Sequence, residues 1–321
     1  MADRVPIIKQ PMLPTLVDAP FDGDAWLFEV KWDGIRAICT IARKGSYELI
    51  SRNQLSLNAK FPELQGLESD FRAAPLVIDG EIVSIDARGR SSFQRLQRRF
   101  KSGGSRAQGH IVYAVFDLLY DGKRDLRSAP LNERKAALAR VLKPNATHVM
   151  LSKDVVGSGK RLFKEAQRRA LEGIVAKRRD STYQERRSRD WLKIKTHLEQ
   201  EFVIGGWTDP RGARKQFGAL LLGVHERGKL AFCGAVGTGF DGDTLAQVMG
   251  KLRPLSSKAC PFDPAPPPPI ARTAHWVKPR LVCEVKFGEW TADGILRQPV
   301  FLGLRTDKDA KDVVHERPLE R

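Results

Sequence analysis

After residue 200 the chain carries five short strand-forming runs broken by a single helical pattern, and this order leaves few folds open. The runs are Glu201–Trp207, Phe217–Val224, Leu230–Val236, a stretch within Trp276–Phe287, and Val300–Leu304. Each is rich in β-branched and aromatic residues and is bounded by turn formers. Between the third and fourth runs, Thr244–Leu252 places Leu245, Val248, Met249 and Leu252 at i, i+3, i+4 and i+7, the spacing of a half-buried helix. The proline-rich stretch Pro264–Pro269 has the composition of a linker. Roughly 50 residues follow it, too few for a comfortable core of their own. It therefore reads as a long loop inside a C-terminal domain that begins near His197.

Five strands with a helix after the third is the order of an OB-type barrel, an architecture that binds nucleic acid. The preceding residues are patterned differently. Trp26–Val30, Val77–Val83, Ile111–Phe116, Gly173–Ala176 and Trp191–Ile194 read as strands. One helix, capped by Asn132, buries Ala137, Leu138, Val141 and Leu142. Another, from Lys160, presents Leu162, Phe163, Ala166 and Ala170 and stops at Gly173. The expected class is α+β: residues 1–197 with mixed or antiparallel sheets and flanking helices, then an all-β OB-fold domain over residues 198–321.

Composition narrows the partners. Lys and Arg number 55 against 38 Asp and Glu, a formal charge of +17 on 321 residues, while 41% hydrophobic residues suffice for packed cores. Such a chain favours polyanions. The charge is clustered: Arg95, Arg98, Arg99, Lys101 and Arg106 fall in one acid-free stretch, and Lys177 to Lys195 holds eight basic residues, Arg178 and Arg179 among them. A solvated basic face would give the same pattern. The absence of a basic amphipathic helix with a bulky apolar face, of a signal-like N-terminus and of a long apolar run argues against membranes. Cys39, Cys233, Cys260 and Cys283 have neither C-x-x-C nor metal-like spacing, which fits a soluble protein in a reducing compartment.

The chemistry concentrates in a few strands. In WLFEVKWDGIR, Leu27, Glu29 and Lys31 share one strand face and Trp26, Phe28 and Val30 the other. A lysine closing an apolar strand is either a snorkelling edge residue or a nucleophile. Burial and nearby cations would lower its proton affinity enough for the latter. Such cations follow in WLKIK, where Lys193 and Lys195 share a face with Trp191, suited to two phosphate oxygens or simply to a solvated surface strand. Asp79 and Glu81 lie on one face of VIDGEIV, and Glu172 opens a short buried strand. With phosphate-binding lysines nearby, such carboxylates suit a divalent metal; otherwise they are plain solvent contacts. GTGFDG (237–242) matches a dinucleotide fingerprint, yet no second parallel strand can follow within Pro264–Pro269. A glycine-permitted tight turn is the better reading.

The ordered set KWDGIR (31–36), SRNQ (51–54), VIDGEIV (77–83), VFDLLY (115–120), EGIVAKR (172–178) and WLKIK (191–195), with RQPVFLGLRTDK (297–308) beyond, resembles the motif series of covalent nucleotidyltransferases. Within them it is similar to ATP-dependent DNA ligases, and the wording FGALLLGV, AVGTGF and RQPVFLGLR is nearest the ligase module of bacterial end-joining DNA ligase D or a stand-alone relative. The resemblance covers nearly the whole chain. It implies that an N-terminal adenylation domain uses Lys31 to take AMP from ATP, passes it to a DNA 5′-phosphate, and seals the break with the 3′-hydroxyl. Glu29 would read the adenine edge and Phe116 stack on the ring. Arg36, Arg52 and Glu81 would surround the ribose, the AMP phosphate or the DNA 5′-phosphate. Lys193 and Lys195 would neutralise the α-phosphate, while Glu81 and Glu172 would serve Mg2+ or Mn2+. Arg297, Arg305, Asp307 and Lys308 would orient pyrophosphate, and Arg95, Arg98, Arg99, Arg178 and Arg179 would track DNA.

The same resemblance implies a monomer acting on nicked or broken duplex DNA in a bacterial cytoplasm, associated with the nucleoid, with the Ku end-binding protein as a partner. No large DNA-encircling domain precedes Lys31, so the two domains or a partner must grip the duplex. The alternatives are an RNA ligase or a GTP-dependent capping-type nucleotidyltransferase, which share the lysine and much of the motif order, and a non-catalytic basic binding module, in which Lys31 would be dispensable.

Overall fold

The computed structural model describes residues 5–43, 45–96, 109–210 and 216–316, in two compact units that divide between Thr196 and His197. The first unit holds two five-stranded sheets. One runs β1 (Leu13–Leu16), β10 (Arg187–Lys195), β9 (Gly173–Arg178), β2 (Gly23–Val30), β8 (Asp154–Gly157); β1 pairs with β10 in parallel and the other neighbours are antiparallel. The second runs β4 (Ser46–Ser51), β3 (Ile35–Arg43), β5 (Leu76–Ile85), β6 (His110–Tyr120), β7 (Val149–Leu151), with only β6 and β7 parallel.

Alternation builds the first sheet's core. Phe28, Ile174, Ala176, Leu192 and Ile194 point to one side and pack with Ala166 of helix α2 (Gly159–Arg168). The second sheet packs Ile35, Ala37, Ile78, Ile82 and Val115 against Ala137 and Leu138 of helix α1 (Leu131–Val141). A third cluster, with Ile38, Val77, Phe116 and Leu119 from one sheet and Trp191 from the other, joins the two. Arg134 of α1 forms a fully buried fork on Asp117, at 2.8 and 2.9 Å, and donates again to the carbonyls of Ala129 and Ser181.

Two helix details differ from the sequence reading. Pro130, not Asn132, occupies the N-cap of α1, and Asn132 lies within the first turn, where its amide donates to the Arg179 carbonyl. Helix α2 ends at Arg168, so Ala170 lies beyond it, exposed and at φ 51°, rather than on the apolar face.

In the second unit, β11 (Leu198–Thr208), β12 (Leu220–Glu226) and β13 (Lys229–Val236) form a meander, and β15 (Ala274–Phe287) pairs with β11 and with β18 (Val300–Arg305). Two-residue strands β14 (Ser256–Ser257), β16 (Glu289–Trp290) and β17 (Leu296–Arg297) complete the pairing. The Thr238–Val300 bridge brings β18 back beside the end of β13, giving the OB-fold order. Helix α3 (Gly242–Leu252) sits between the third and fourth long strands, capped by the Asp241 side chain on the Thr244 amide at 2.7 Å. Gly239 (φ +91°) turns the chain so closely over β18 that a Cβ there would lie 2.2 Å from the Phe301 carbonyl oxygen. Gly239 of GTGFDG therefore serves a barrel turn, and Gly242 opens α3. Among the described residues no helix is long and apolar enough to cross a membrane.

Candidate active site

The register of β2, β9 and β10 arranges the site. Directly paired residues on adjacent strands project to the same face, so the face opposite the Phe28–Ile174–Leu192 core carries three rows. Leu27, Lys177 and Trp191 form the first, and Glu29, Val175 and Lys193 the second. In the third, Lys31 lies one residue past β2, its amide donating to the Gly173 carbonyl at 2.9 Å, and Gly173 pairs with Lys195. The only residue between Lys31 and Lys195 thus has no side chain. A Cβ on Gly173 would lie 2.1 Å from the Ile194 carbonyl oxygen, so close approach of β10 also demands glycine.

Lys31 is not held as the sequence suggested. Burial alone would lower its proton affinity, but its ammonium is hydrogen-bonded to the Glu172 carboxylate, and Glu172, Glu81 and Asp33 together hold it above the ordinary lysine range. The expected depression fails because the nearest charges are anionic. The turn after Lys31 is tightly built. Asp33 accepts from the Phe93 amide at 2.8 Å, and Gly34 passes so near β5 that a Cβ would lie 2.2 Å from the Ile82 carbonyl oxygen.

Glu29 is 1% exposed. Its Oε1 accepts from Lys135 at 2.5 Å, and its Oε2 accepts from Lys177 at 3.1 Å and the Ser152 hydroxyl at 3.0 Å. Burial pushes its carboxyl upward, but the two lysines outweigh that and keep it below the usual range. Lys177 lies 4.1 Å from the Phe116 ring centre and 4.3 Å from that of Trp191. Burial, assisted by Lys135, lowers its pKa to about 8 against the pull of Glu29.

Phe116 is the extra residue of a bulge where β6 passes β5, and a bulge re-aims its side chain. Its ring is only 6% exposed, with Arg36 4.6 Å and Lys177 4.1 Å from its centre, so it is not an open stacking platform. Arg36 forks onto buried Asp79 at 2.5 and 2.6 Å, and Tyr183 donates to the same carboxylate at 2.7 Å. Asp79, read from the sequence beside Glu81 as a metal carboxylate, is committed to Arg36 instead. Glu81 pairs across the strands with Arg36 and adds to the field on Lys31. Arg52 follows β4 in a turn.

The remaining candidates are scattered. Arg95 is folded back onto the Arg90 carbonyl and within 3.5 Å of Asp86, not extended as a phosphate ligand would be. Arg98 and Arg99 lie outside the described residues. Arg178 forks onto Asp180 at 3.1 and 2.8 Å, and Arg179 donates to the Asp24 carbonyl. In the second unit, Arg297 pairs with Glu289 at 2.8 Å and Lys308 with Glu201 at 3.0 Å. Arg305 and Asp307, expected at pyrophosphate, form a buried fork that also engages Glu284, so within this unit they brace the turn leading to Lys308.

A family profile described as "ATP dependent DNA ligase domain" matches residues 11–195, and another, "ATP dependent DNA ligase C terminal region", matches residues 213–308. The chain belongs to the ATP-dependent DNA ligase family. It is 38% identical over 96% of its length to the multifunctional non-homologous end joining protein LigD of Pseudomonas aeruginosa, but spans only 36% of that relative. DNA ligase C of Mycobacterium tuberculosis is 32% identical, with 87% of this chain and 78% of the relative covered. A solved mycobacterial DNA ligase D, complexed with ATP and MES, superimposes with a TM-score of 0.69 at 37% identity, covering 96% of this chain and 98% of that one. The architecture is accordingly that of a ligase nucleotidyltransferase domain followed by an OB-fold domain.

Within this ligase-family fold, no cluster of three metal-ligating side chains occurs among the described residues. Glu81 and Glu172 nevertheless both act on Lys31. Two carboxylates fit Mg2+, which takes one or two from protein and completes its shell with water and substrate phosphate. Sequence reasoning missed Lys135, Ser152 and Lys177 as members of the site. Lys177 was legible in principle, since it alternates with Val175 and Gly173 along β9. Lys135 and Ser152 reach Glu29 from 106 and 123 residues away, and no local pattern marks them.

Proposed function

We propose that this chain seals 5′-phosphate/3′-hydroxyl breaks in duplex DNA through a lysyl-AMP intermediate on Lys31 and a DNA-adenylate. The observation that carries the reading is the third row, with Lys31 and Lys195 flanking side-chain-free Gly173 and Lys193 one row away. An α-phosphate seated there meets a nucleophile and two cations together. Lys31 Nζ gives up a proton, for which Glu172 is the acceptor in contact, and attacks the α-phosphorus as the bond to pyrophosphate breaks. A DNA 5′-phosphate oxygen then displaces Lys31 from that phosphorus. Finally the 3′-hydroxyl attacks the 5′-phosphorus and AMP departs. Positioning and charge neutralisation supply most of the acceleration in such steps. Glu81 and Glu172, directly or through water, would hold Mg2+ or Mn2+, which supplies further neutralisation of phosphate charge. The names of the relatives support a place in bacterial non-homologous end joining; the Ku end-binding protein is the partner proposed for that role.

Incubation with magnesium and α-labelled ATP should give an alkali-stable, acid-labile protein–AMP adduct, absent with Lys31→Ala and with labelled GTP. Labelling that survives Lys31→Ala would overturn the assignment.

A further inference from the structure

Two lysines outside the phosphate rows converge on Glu29, and they are not equivalent. A carboxylate offers about four acceptor positions. Among the described residues, Lys177 and Ser152 fill both on Oε2, while Lys135 fills one of the two on Oε1. The Ser152 hydroxyl is itself held by the Trp32 indole N–H at 3.0 Å. Lys135 has no donor to spare, because its ammonium also serves Asp154 Oδ1 at 3.1 Å and the Ser152 carbonyl at 3.3 Å. It cannot address a bound base directly and acts only through Glu29.

We propose that Lys135 is a positioning residue for base selection: it fixes Glu29 with one acceptor site unused, which takes an N–H of a purine 6-amino group and repels a 6-oxo oxygen. The proposal rests on the reading above that Glu29 meets the adenine edge. It assigns the discrimination between amino and oxo purines to an anchor on α1, remote in sequence from every motif that suggested the nucleotide site. Lys177 is the less specific partner, since its remaining N–H bonds face the Phe116 and Trp191 rings.

Adenylation kinetics of the full chain with ATP, with purine riboside triphosphate (no 6-substituent) and with inosine triphosphate test this. Wild type should prefer ATP. Lys135→Met should raise the KM for ATP about tenfold to a hundredfold, the range of one charge-assisted hydrogen bond. The KM for purine riboside triphosphate should stay nearly unchanged, so the ATP preference collapses while kcat moves less, and Lys135→Arg should restore part of it. A wild-type ratio in folded Lys135→Met overturns the proposal and leaves the reading of Glu29 standing. No ATP preference in wild type overturns both. Should Lys135→Met not fold, Lys135→Gln, which takes the ammonium from Glu29 while keeping a polar side chain, must show the same loss of preference; a retained preference there overturns the proposal.

Discussion

Lys177 shows how one residue can carry both a structural strain and a chemical role. It is a buried cation between two aromatic rings, with one carboxylate partner, and burial lowers its pKa from 10.5 to about 8. Between those values the folded chain has shed this proton and the unfolded chain has kept it. The unfolded state binds more protons there, so stability rises with pH across the window and is lowest, for this group, below about 8. Urea titrations from pH 7 to 10.5 should show wild type gaining on Lys177→Met, on the order of 3 kcal/mol for complete deprotonation. A pH-independent difference would mean that Lys177 titrates normally. Single residues were unevenly legible. Glu29, Lys31, Lys193 and Lys195 stand on a predictable strand face, and their convergence follows once the strands pair. The proton affinity of Lys31 was misjudged because the sequence shows Glu172 only as a residue 141 positions away and not that its carboxylate meets the ammonium.

At the scale of elements, β9 is the strand on which the site depends. Its odd-numbered residues Gly173, Val175 and Lys177 line the reactive face, and Ile174 and Ala176 lie in the core. Gly173→Ala would force backbone apart, because the new Cβ meets the Ile194 carbonyl oxygen. Overpacking of this kind costs roughly 1–3 kcal/mol, and it would shift Lys195 relative to Lys31. Thermal unfolding should therefore move down and protein–AMP formation should fall; unchanged melting and labelling would show that β10 yields without consequence. Strand and helix positions were largely readable because alternation and helical spacing are local signals. The bulge that exposes Phe116 to Arg36 and Lys177 was not, since it depends on how β5 and β6 pair across the sheet.

For the whole molecule, the +17 charge is divided among unequal tasks. Arg36, Arg134 and Arg305 are spent on internal carboxylates. Arg178 is paired with Asp180 and lies 4.0 Å from Asp190, whereas among the described residues the guanidinium of Arg179 meets the backbone carbonyl of Asp24. Binding to nicked duplex DNA should weaken steeply with salt, and Arg179→Ala should reduce the log–log slope by about 1. Arg178→Ala should change it less. Equal slopes for all three proteins would remove this segment from the DNA track. The two-unit architecture was legible because the strand order changes style near residue 200, while the internal use of basic side chains was hidden in the bulk charge. The alternation of β9 also has a practical consequence. A one-residue slip against β2 would drive Lys177 into the layer with Phe28 and draw Ile174 out of it, so chains out of register could neither pack nor assemble the row around Gly173. With the lysyl-AMP chemistry proposed above, one AMP incorporated per chain would count correctly folded molecules, and adenylation would double as an active-site titration of any preparation.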